Sequence, residues 1–396
     1  MRFLIASDSY PEFDRNSADF RLTQLMAAML DHGDVHFWAA GPHRQTAAIG
    51  QEGVQRYRKA LADAGIRIVT GGVRSILRQT NLDAVILEWY FSAAPYIDEI
   101  RATSPNTKVI TDSVDVTFNR LQAKARVSGS PDDQREAEAV RRLELDIYRR
   151  SDLVLTVSDE DARILALADR DIRSFTIPNI HPLHDFKSQT SSPDKVLVFV
   201  GSRSQANDDA MRFFCHEVLP LILAQEPAVI FRVVGTVTLP ELNESLVQSV
   251  ERLGFVADTR PYLESSLISV APLRFGGGMK GKVGEAMSLG LPVVSTSTGA
   301  EGFGIEPGRE ALVADDAQGF ADATVKLIRE PELRNKIARA GWQFIRDHYS
   351  DVAVRKRVDR LVELIAELEP KRPSLPKKTL FGARDIWKRH VAWRLR

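Results

Sequence analysis

The sequence predicts an α/β protein made of two doubly wound parallel sheets, one following the other along the chain. Three observations carry this expectation. Short apolar, β-branched runs alternate with helical stretches, and parallel strands need such crossover connections. A stretch rich in Pro, Ser, His and Asn at residues 178–195 breaks the rhythm, after which it restarts in the same way. At 396 residues the chain is too long for one ordinary core, so two domains of similar size are the default.

Taken in order, the first series reads as a strand at 3–6, a loop, a helix to about His32 and a strand at 35–39. A helix at 52–64, strands at 66–69 and 85–88, a helix at 94–102 and a strand at 109–112 follow. Residues 114–134 read as a loop leading into a charged helix that ends at Arg150. A strand at 153–157, a helix capped by Ser158 and a strand at 175–177 complete the series. The second begins with a strand at 196–200, a Gly201-Ser202 turn and a helix over 208–223. Next come a strand at 229–234, a helix at 239–252, a short strand at 254–256 and the segment LISVAPLRFGGGMKGKVGEAMSLGLPVVSTSTGAEGF, residues 267–303. From Gln318 onward the pattern is wholly helical. The predicted domains are 1–180 and 196–350, with 181–195 as linker, 351–369 as a C-terminal helix and 370–396 as a basic, aromatic tail. Two such sheets create a cleft outside the carboxyl ends of their strands, where ligands of this class bind.

The composition is that of a globular protein, and Lys+Arg balance Asp+Glu at 53 each, which argues against a general nucleic-acid binder. Cys215 is the single cysteine, in an apolar helical run that predicts a buried, inert thiol. With no intrachain disulfide possible and no signal-peptide pattern, the expected location is cytoplasmic.

Residues 267–303 hold the densest chemical signal. A strand leads into Gly276, Gly277 and Gly278, and then into a helix stopped by Gly290 with Pro292 just beyond. Glycines at a strand-to-helix turn let backbone N–H groups approach a ligand, and the helix N-terminus adds partial positive charge. Arg274, Lys280 and Lys282 flank the turn, so the segment predicts a site for a multiply charged oxyanion such as a diphosphate. Glu285 follows about one turn into the helix, where an acceptor-only carboxylate suits a pair of sugar hydroxyls. An ordinary βα loop with solvated lysines is the alternative reading of the loop alone.

Several long motifs in the right order then give a specific match. FVGSRSQANDDAMRFFCHEVLPLI, the segment VAPLRFGGGMKGKVGEAMSLGLPVVSTSTGAEG, LVADDAQGFADATVKLIREPELRNKIARAGWQFIRDHYS, TDSVDVTFNR and LELDIYRRSDLVLTVSDEDARIL resemble the GT-B glycosyltransferases, specifically the family-four group that uses nucleotide-sugar donors. The resemblance covers nearly the whole chain and implies two Rossmann-like domains facing across a cleft. It also implies that the nucleotide sugar is a co-substrate, with no resident cofactor and no metal.

By that resemblance Lys282 carries the main catalytic role, assisted by Arg274 and Lys280. Glu285 takes the ribose, Gly201, Ser202, Gly276, Gly277, Gly278 and Met279 line the donor site, and Val256 meets the nucleobase through its backbone. The family's first glutamate belongs eight residues before Glu285, where this chain has Gly277, which leaves donor identity open. Asp115 is a further catalytic candidate, and on the acceptor side stand Asp14, Ser17, Arg21, Asp112 and Thr117, the last at a position where relatives often have histidine. A buried loop carboxylate capping backbone N–H groups is an equal reading of Asp112 and Asp115, and a helix N-cap of Ser17. His181 and His184 read as solvated linker histidines. The implied reaction is transfer of a sugar, with retention, to a saccharide or lipid-linked saccharide acceptor in surface polysaccharide or glycolipid assembly. A nucleotide-sugar epimerase of the same fold and a non-catalytic sugar-nucleotide-binding module are the rivals. The tail, residues 371–396, sets nine Lys/Arg against Asp385 alone among interleaved aromatics, a composition suited either to an anionic membrane surface or to packing back over the first domain.

Overall fold

The computed structural model describes residues 1–186 and 194–372. Residues 187–193, in the expected linker, and 373–396, nearly all of the basic tail, lie outside the described residues. The chain forms two compact units: Met1–Asn179 together with the chain from Val354 onward, and Ile180–Ala353.

The first unit holds strands β1 (Arg2–Ser7), β2 (Asp34–Ala39), β3 (Arg67–Ile68), β4 (Ala84–Glu88), β5 (Lys108–Asp112), β6 (Leu153–Thr156) and β7 (Ser174–Thr176). They form one parallel sheet in the order β3-β2-β1-β4-β5-β6-β7. Strands β4 and β6 are buried along their whole length, and β1 and β5 but for their first residue, as apolar runs covered on both faces must be. The second unit repeats the plan with β8 (Val196–Val200), β9 (Ile230–Val234), β10 (Val250–Gly254), β11 (Ile268–Ala271), β12 (Val293–Ser295) and β13 (Leu312–Val313), ordered β10-β9-β8-β11-β12-β13. In both sheets the strand order reverses once, between β1 and β4 and between β8 and β11. At such a point the loops diverge to opposite faces and leave a crevice at the carboxyl edge.

Where the expected elements differ from the structure, the reasons are local. Residues 117–128, read as loop, are a helix, Thr117–Ser128, whose N-cap Val116 offers no capping side chain. Its first amides are satisfied instead by Glu144, 27 residues away, so no nearby signal marks the start. A helix at Val73–Gln79 fills the gap left between the third and fourth strands. The helix expected over 239–252 is a single turn, Glu244–Val247, capped by Asn243. The chain then enters β10 earlier than expected, where Glu251 pairs with Arg232 of β9 at 2.6 Å. The helix expected from 208 begins at Gln205 and passes through a π-turn, Phe214–Val218, just before Pro220, which has no N–H to continue the regular ladder. Cys215 is fully buried, and burial pushes its thiol up to about 12.

The last helix, Asp351–Glu367, buries Val354, Val358, Leu361, Val362 and Ile365 on one stripe. Its Arg355 and Asp359 pair with Asp31 and His32, each at 2.8 Å, so this helix packs on the unit where the chain begins. No helix among the described residues is long and apolar enough to cross a membrane.

One buried ion pair ties the first sheet to its helical layer. Asp152 accepts from the Val109 amide at 2.7 Å and meets Arg101 at 2.8 Å, with the two side chains 1% and 4% exposed. Removing the arginine strands a desolvated carboxylate, so Arg101→Met is expected to cost about 3 kcal/mol of stability. Urea unfolding of the wild type and variant checks this, and a loss within ~0.5 kcal/mol would show that water reaches Asp152.

Candidate active site

The second unit's site forms at the β8/β11 reversal. The chain leaves β8 through Gly201 and Ser202 into a helix, Gln205–Phe213, capped by Ser204. It leaves β11 through the glycine loop into a second helix, Gly281–Ser288. The N-cap of that helix is Lys280, whose side chain cannot accept, so its first amides carry no side-chain cap. Gly278 takes a left-handed φ of 59°, a conformation glycine adopts without strain and one that turns the loop into the helix.

The three cations grouped by the sequence differ in what holds them. Arg274 clasps Asp209 with two hydrogen bonds of 2.9 and 2.6 Å and lies over the Phe213 ring. The hydrogen bond to Asp209 holds its guanidinium above the usual range. Lys280 is buried and donates to the Gly278 carbonyl at 2.7 Å and to Glu301 at 3.1 Å. Lys282 has no carboxylate partner among the described residues. Its Nζ donates to Asn207 Oδ1 at 2.6 Å and sits 4.0 Å from the Phe199 ring centre. Burial, with Lys280 adding its repulsion, lowers the ammonium to about 7. Glu285 accepts from the Thr259 hydroxyl. Burial raises its pKa, Thr259 opposes the rise, and Asp258 adds to it.

The remaining donor-side candidates lie along the same edge. Gly276 lies against the Lys280 side chain, Gly277 is half-buried, and Met279 is buried against Gly302. The Ser202 carbonyl accepts from Asn207 Nδ2 at 2.7 Å, so one amide ties the turn after β8 to Lys282. Val256 is half-buried just beyond β10. Thr259, Asn207 as a tie and Glu301 were not singled out by sequence, since a lone Thr, Asn or Glu in a loop carries no pattern.

His181 corrects one reading. It is 5% exposed, not solvated, with its amide bonded to the Tyr349 carbonyl at 2.9 Å. Burial lowers the imidazole to about 4, which keeps it neutral at ordinary pH. A Cβ at Gly284 would lie 2.2 Å from His181 Nε2, so the helix that bears Lys282 and Glu285 can pack here only with glycine. A glycine inside a short helix was the one sequence signal of that close approach.

In the first unit the acceptor-side candidates separate into two groups. Arg21 and Asp112 form a buried pair at 2.7 Å, and Arg21 Nε also donates to the Ile177 carbonyl, which knits a helix, Ser17–Met29, to the sheet's carboxyl edge. Just beyond, Val114 takes a positive φ of 59°, and Asp115 accepts from Arg120 at 2.7 Å and from the Thr117 hydroxyl at 3.2 Å. Asp14 stands apart. Burial alone would raise it, but the Tyr57 hydroxyl and Arg56 outweigh that and hold its carboxyl below the usual range. Ser17 is exposed at the first helical position, and the capping residue is Asn16, which accepts from the Asp19 amide at 2.8 Å.

Beneath Thr117 lies Glu144, fully buried, accepting from the amides of Thr117 and Phe118 and from the Tyr148 hydroxyl at 2.7 Å. Burial pushes its carboxyl up to about 8, against those hydrogen bonds and with Asp115 reinforcing the rise. The folded chain therefore keeps a proton that the unfolded chain releases above about pH 4.5, and Glu144 costs progressively more stability as pH rises from there to about 8. Relative to the wild type, Glu144→Gln should gain in thermal midpoint between pH 5 and 8. A difference that stays constant, or drifts the other way, would mean that Glu144 is ionised in the fold throughout.

Comparison with known proteins places this geometry. Residues 194–330 match the family Glycosyl transferases group 1. An uncharacterized 44.6 kDa protein in the cps region of Klebsiella pneumoniae is 22% identical over 222 residues, 53% of this chain and 55% of that protein. An uncharacterized glycosyltransferase of Methanosarcina acetivorans is 28% identical over 145 residues, 36% of this chain and 34% of that protein. The matches thus span about half and a third of those relatives' lengths. Among solved structures, Anabaena HepE in complex with UDP-glucose superposes with a TM-score of 0.66 at 16% identity, covering 92% of this chain and 100% of that one. Sucrose-phosphate synthase from Thermosynechococcus elongatus gives 0.64 at 17% identity, covering 92% and 99%. These structural likenesses establish the fold, two parallel-sheet domains of the GT-B type.

Proposed function

We propose that this chain, whose second unit is a Glycosyl transferases group 1 domain on a GT-B fold, is a glycosyltransferase that moves a sugar from a nucleotide-sugar donor to a saccharide acceptor. One observation carries the reading: at the β8/β11 reversal a half-buried lysine, without a carboxylate partner among the described residues, stands one turn from a carboxylate held by a hydroxyl. The first needs an anion and the second accepts hydroxyl donors, and a nucleoside diphosphate sugar brings both.

Breaking the sugar–phosphate bond builds negative charge on the departing diphosphate. A donor placed at the leaving oxygens stabilises that state more than the ground state, which is the part of binding that speeds reaction. Lys282 takes that role. The uncapped amides at the start of the helix Gly281–Ser288 add to it, and Lys280 and Arg274 shape the loop through Glu301 and Asp209. Glu285 receives the ribose hydroxyls in place of Thr259. On the acceptor side Asp115, Asp112, Thr117, Arg21, Asp14 and Ser17 remain the candidates. The reaction proceeds with retention and without a metal, the donor serving as co-substrate.

The acceptor proposed is a saccharide on a lipid carrier, in surface polysaccharide or glycolipid assembly. The Klebsiella relative in a cps region and the HepE complex with UDP-glucose support this direction. It would set the enzyme at the cytoplasmic face of a membrane, with no nucleic-acid partner.

Two substitutions test the reading. Lys282→Ala should lower kcat by about a hundredfold, the usual effect of losing one leaving-group donor. Its thermal midpoint should not fall below that of the wild type, because a desolvated cation without a counter-charge costs the fold stability. Early unfolding, or full activity, would remove Lys282 from the chemistry. Glu285→Gln should weaken binding of the donor and of the nucleoside diphosphate alike, since a neutral amide accepts ribose hydroxyls less strongly than a carboxylate. Equal dissociation constants would place the ribose elsewhere. Product analysis across UDP-, GDP- and ADP-sugars, with and without saccharide acceptors, separates transfer from epimerisation, which needs no acceptor.

A further inference from the structure

We propose that Asn207 is a positioning residue that must be neutral: it fixes Lys282 without supplying a counter-charge, and so reserves that lysine for the donor's diphosphate. The inference rests on the donor-site reading above and goes beyond it.

The hydrogen bonds lead there directly. Asn207 spends its amide N–H on the Ser202 carbonyl at 2.7 Å and its oxygen on Lys282 Nζ at 2.6 Å. Each polar end is therefore committed, one to the turn after β8 and one to the helix after β11. The other side of the ammonium faces the Phe199 ring at 4.0 Å, which attracts a cation without neutralising it. An Asp in the place of Asn207 would be nearly the same size and would form a salt bridge there, which is the more obvious way to hold a lysine.

The surrounding charges make the choice consequential. Of the two acidic residues that follow Asn207 on its own helix, Asp208 accepts from the Thr238 amide and Asp209 is clasped by Arg274. On the helix of Lys282, Glu285 is engaged by Thr259, and in the glycine loop Lys280 is paired with Glu301. Each of these carboxylates already has a partner, and the charge that acts on Lys282 is the repulsion from Lys280. The ammonium is thus desolvated, oriented and left uncompensated, a state that a bound diphosphate relieves.

Calorimetric titration of the intact protein with UDP, GDP and ADP tests this, using whichever the wild type binds most tightly. Asn207→Asp, which pairs with Lys282 but gives up the hydrogen bond to the Ser202 carbonyl, should weaken that nucleotide by about tenfold or more, because its carboxylate takes the diphosphate's place at Lys282. Asn207→Ala, which loosens Lys282 without neutralising it, should weaken binding by only a few-fold. The pH dependence separates charge from mere structure. Wild-type affinity should fall as pH rises from 7 to 8.5 and Lys282 loses its proton, and the fall should move to higher pH in Asn207→Asp. Equal losses in the two variants, an Asn207→Asp that binds as the wild type does, or a flat wild-type profile would each overturn the proposal. Should Asn207→Asp fail to fold, the wild-type profile and Asn207→Ala decide alone. A wild type that binds none of the three nucleotides overturns the donor-site reading itself, and this inference with it.

Discussion

A strand buried on both faces cannot carry a charged side chain along its length, and this constraint arranges the rest of the molecule. In both sheets the central strands β4, β6, β8 and β11 are apolar runs, so polar chemistry is pushed to their carboxyl ends and to the loops beyond. Parallel connection then does the remaining work. Right-handed crossovers place neighbouring strands from opposite halves of the winding side by side, and their loops part there. In the second unit that parting brings together the turn after β8 and the glycine loop after β11, 75 residues apart at Asn207 and Lys282.

The two units use buried charge differently. In the first, Arg21–Asp112 and Arg101–Asp152 are closed pairs, each with further backbone hydrogen bonds, and they lock helices onto the sheet. Glu144 replaces a missing cap for the helix that follows Asp115. In the second, Arg274 and Lys280 are closed in the same way, and Lys282 alone of the three is held by a neutral amide and an aromatic face. A closed pair shapes a loop, whereas a cation without a counter-charge is free to meet an anion, and the proposed function rests on that difference.

Much of this was legible in the sequence because the signals were local. The alternation of apolar runs and helices gave both sheets, and three consecutive glycines between a strand and a helix marked the loop of the proposed donor site. What escaped depended on contacts far apart in the chain. The helix Thr117–Ser128 looked like loop because its cap arrives from Glu144. The stretch 239–252 looked helical because its spacing suited a helix, while pairing with β9 pulls its end into a strand. His181 looked solvated among Pro and Ser, yet it is buried against Gly284. Nothing in the pattern of charges distinguished Lys282 from Lys280, because the distinction lies in which carboxylate each one reaches.

On the proposed function, Lys282 stays desolvated and without a counter-charge until an anion binds. Carbon-13 labelling of the lysine side chains, with Lys282 assigned by its loss in Lys282→Met, allows its titration to be followed by NMR in the free protein and with saturating UDP. The account predicts a free ammonium that titrates near 7, well below its ordinary value, and moves up when the diphosphate binds. A Lys282 that titrates at the ordinary lysine value in the free protein, or whose titration UDP leaves unmoved, would contradict it.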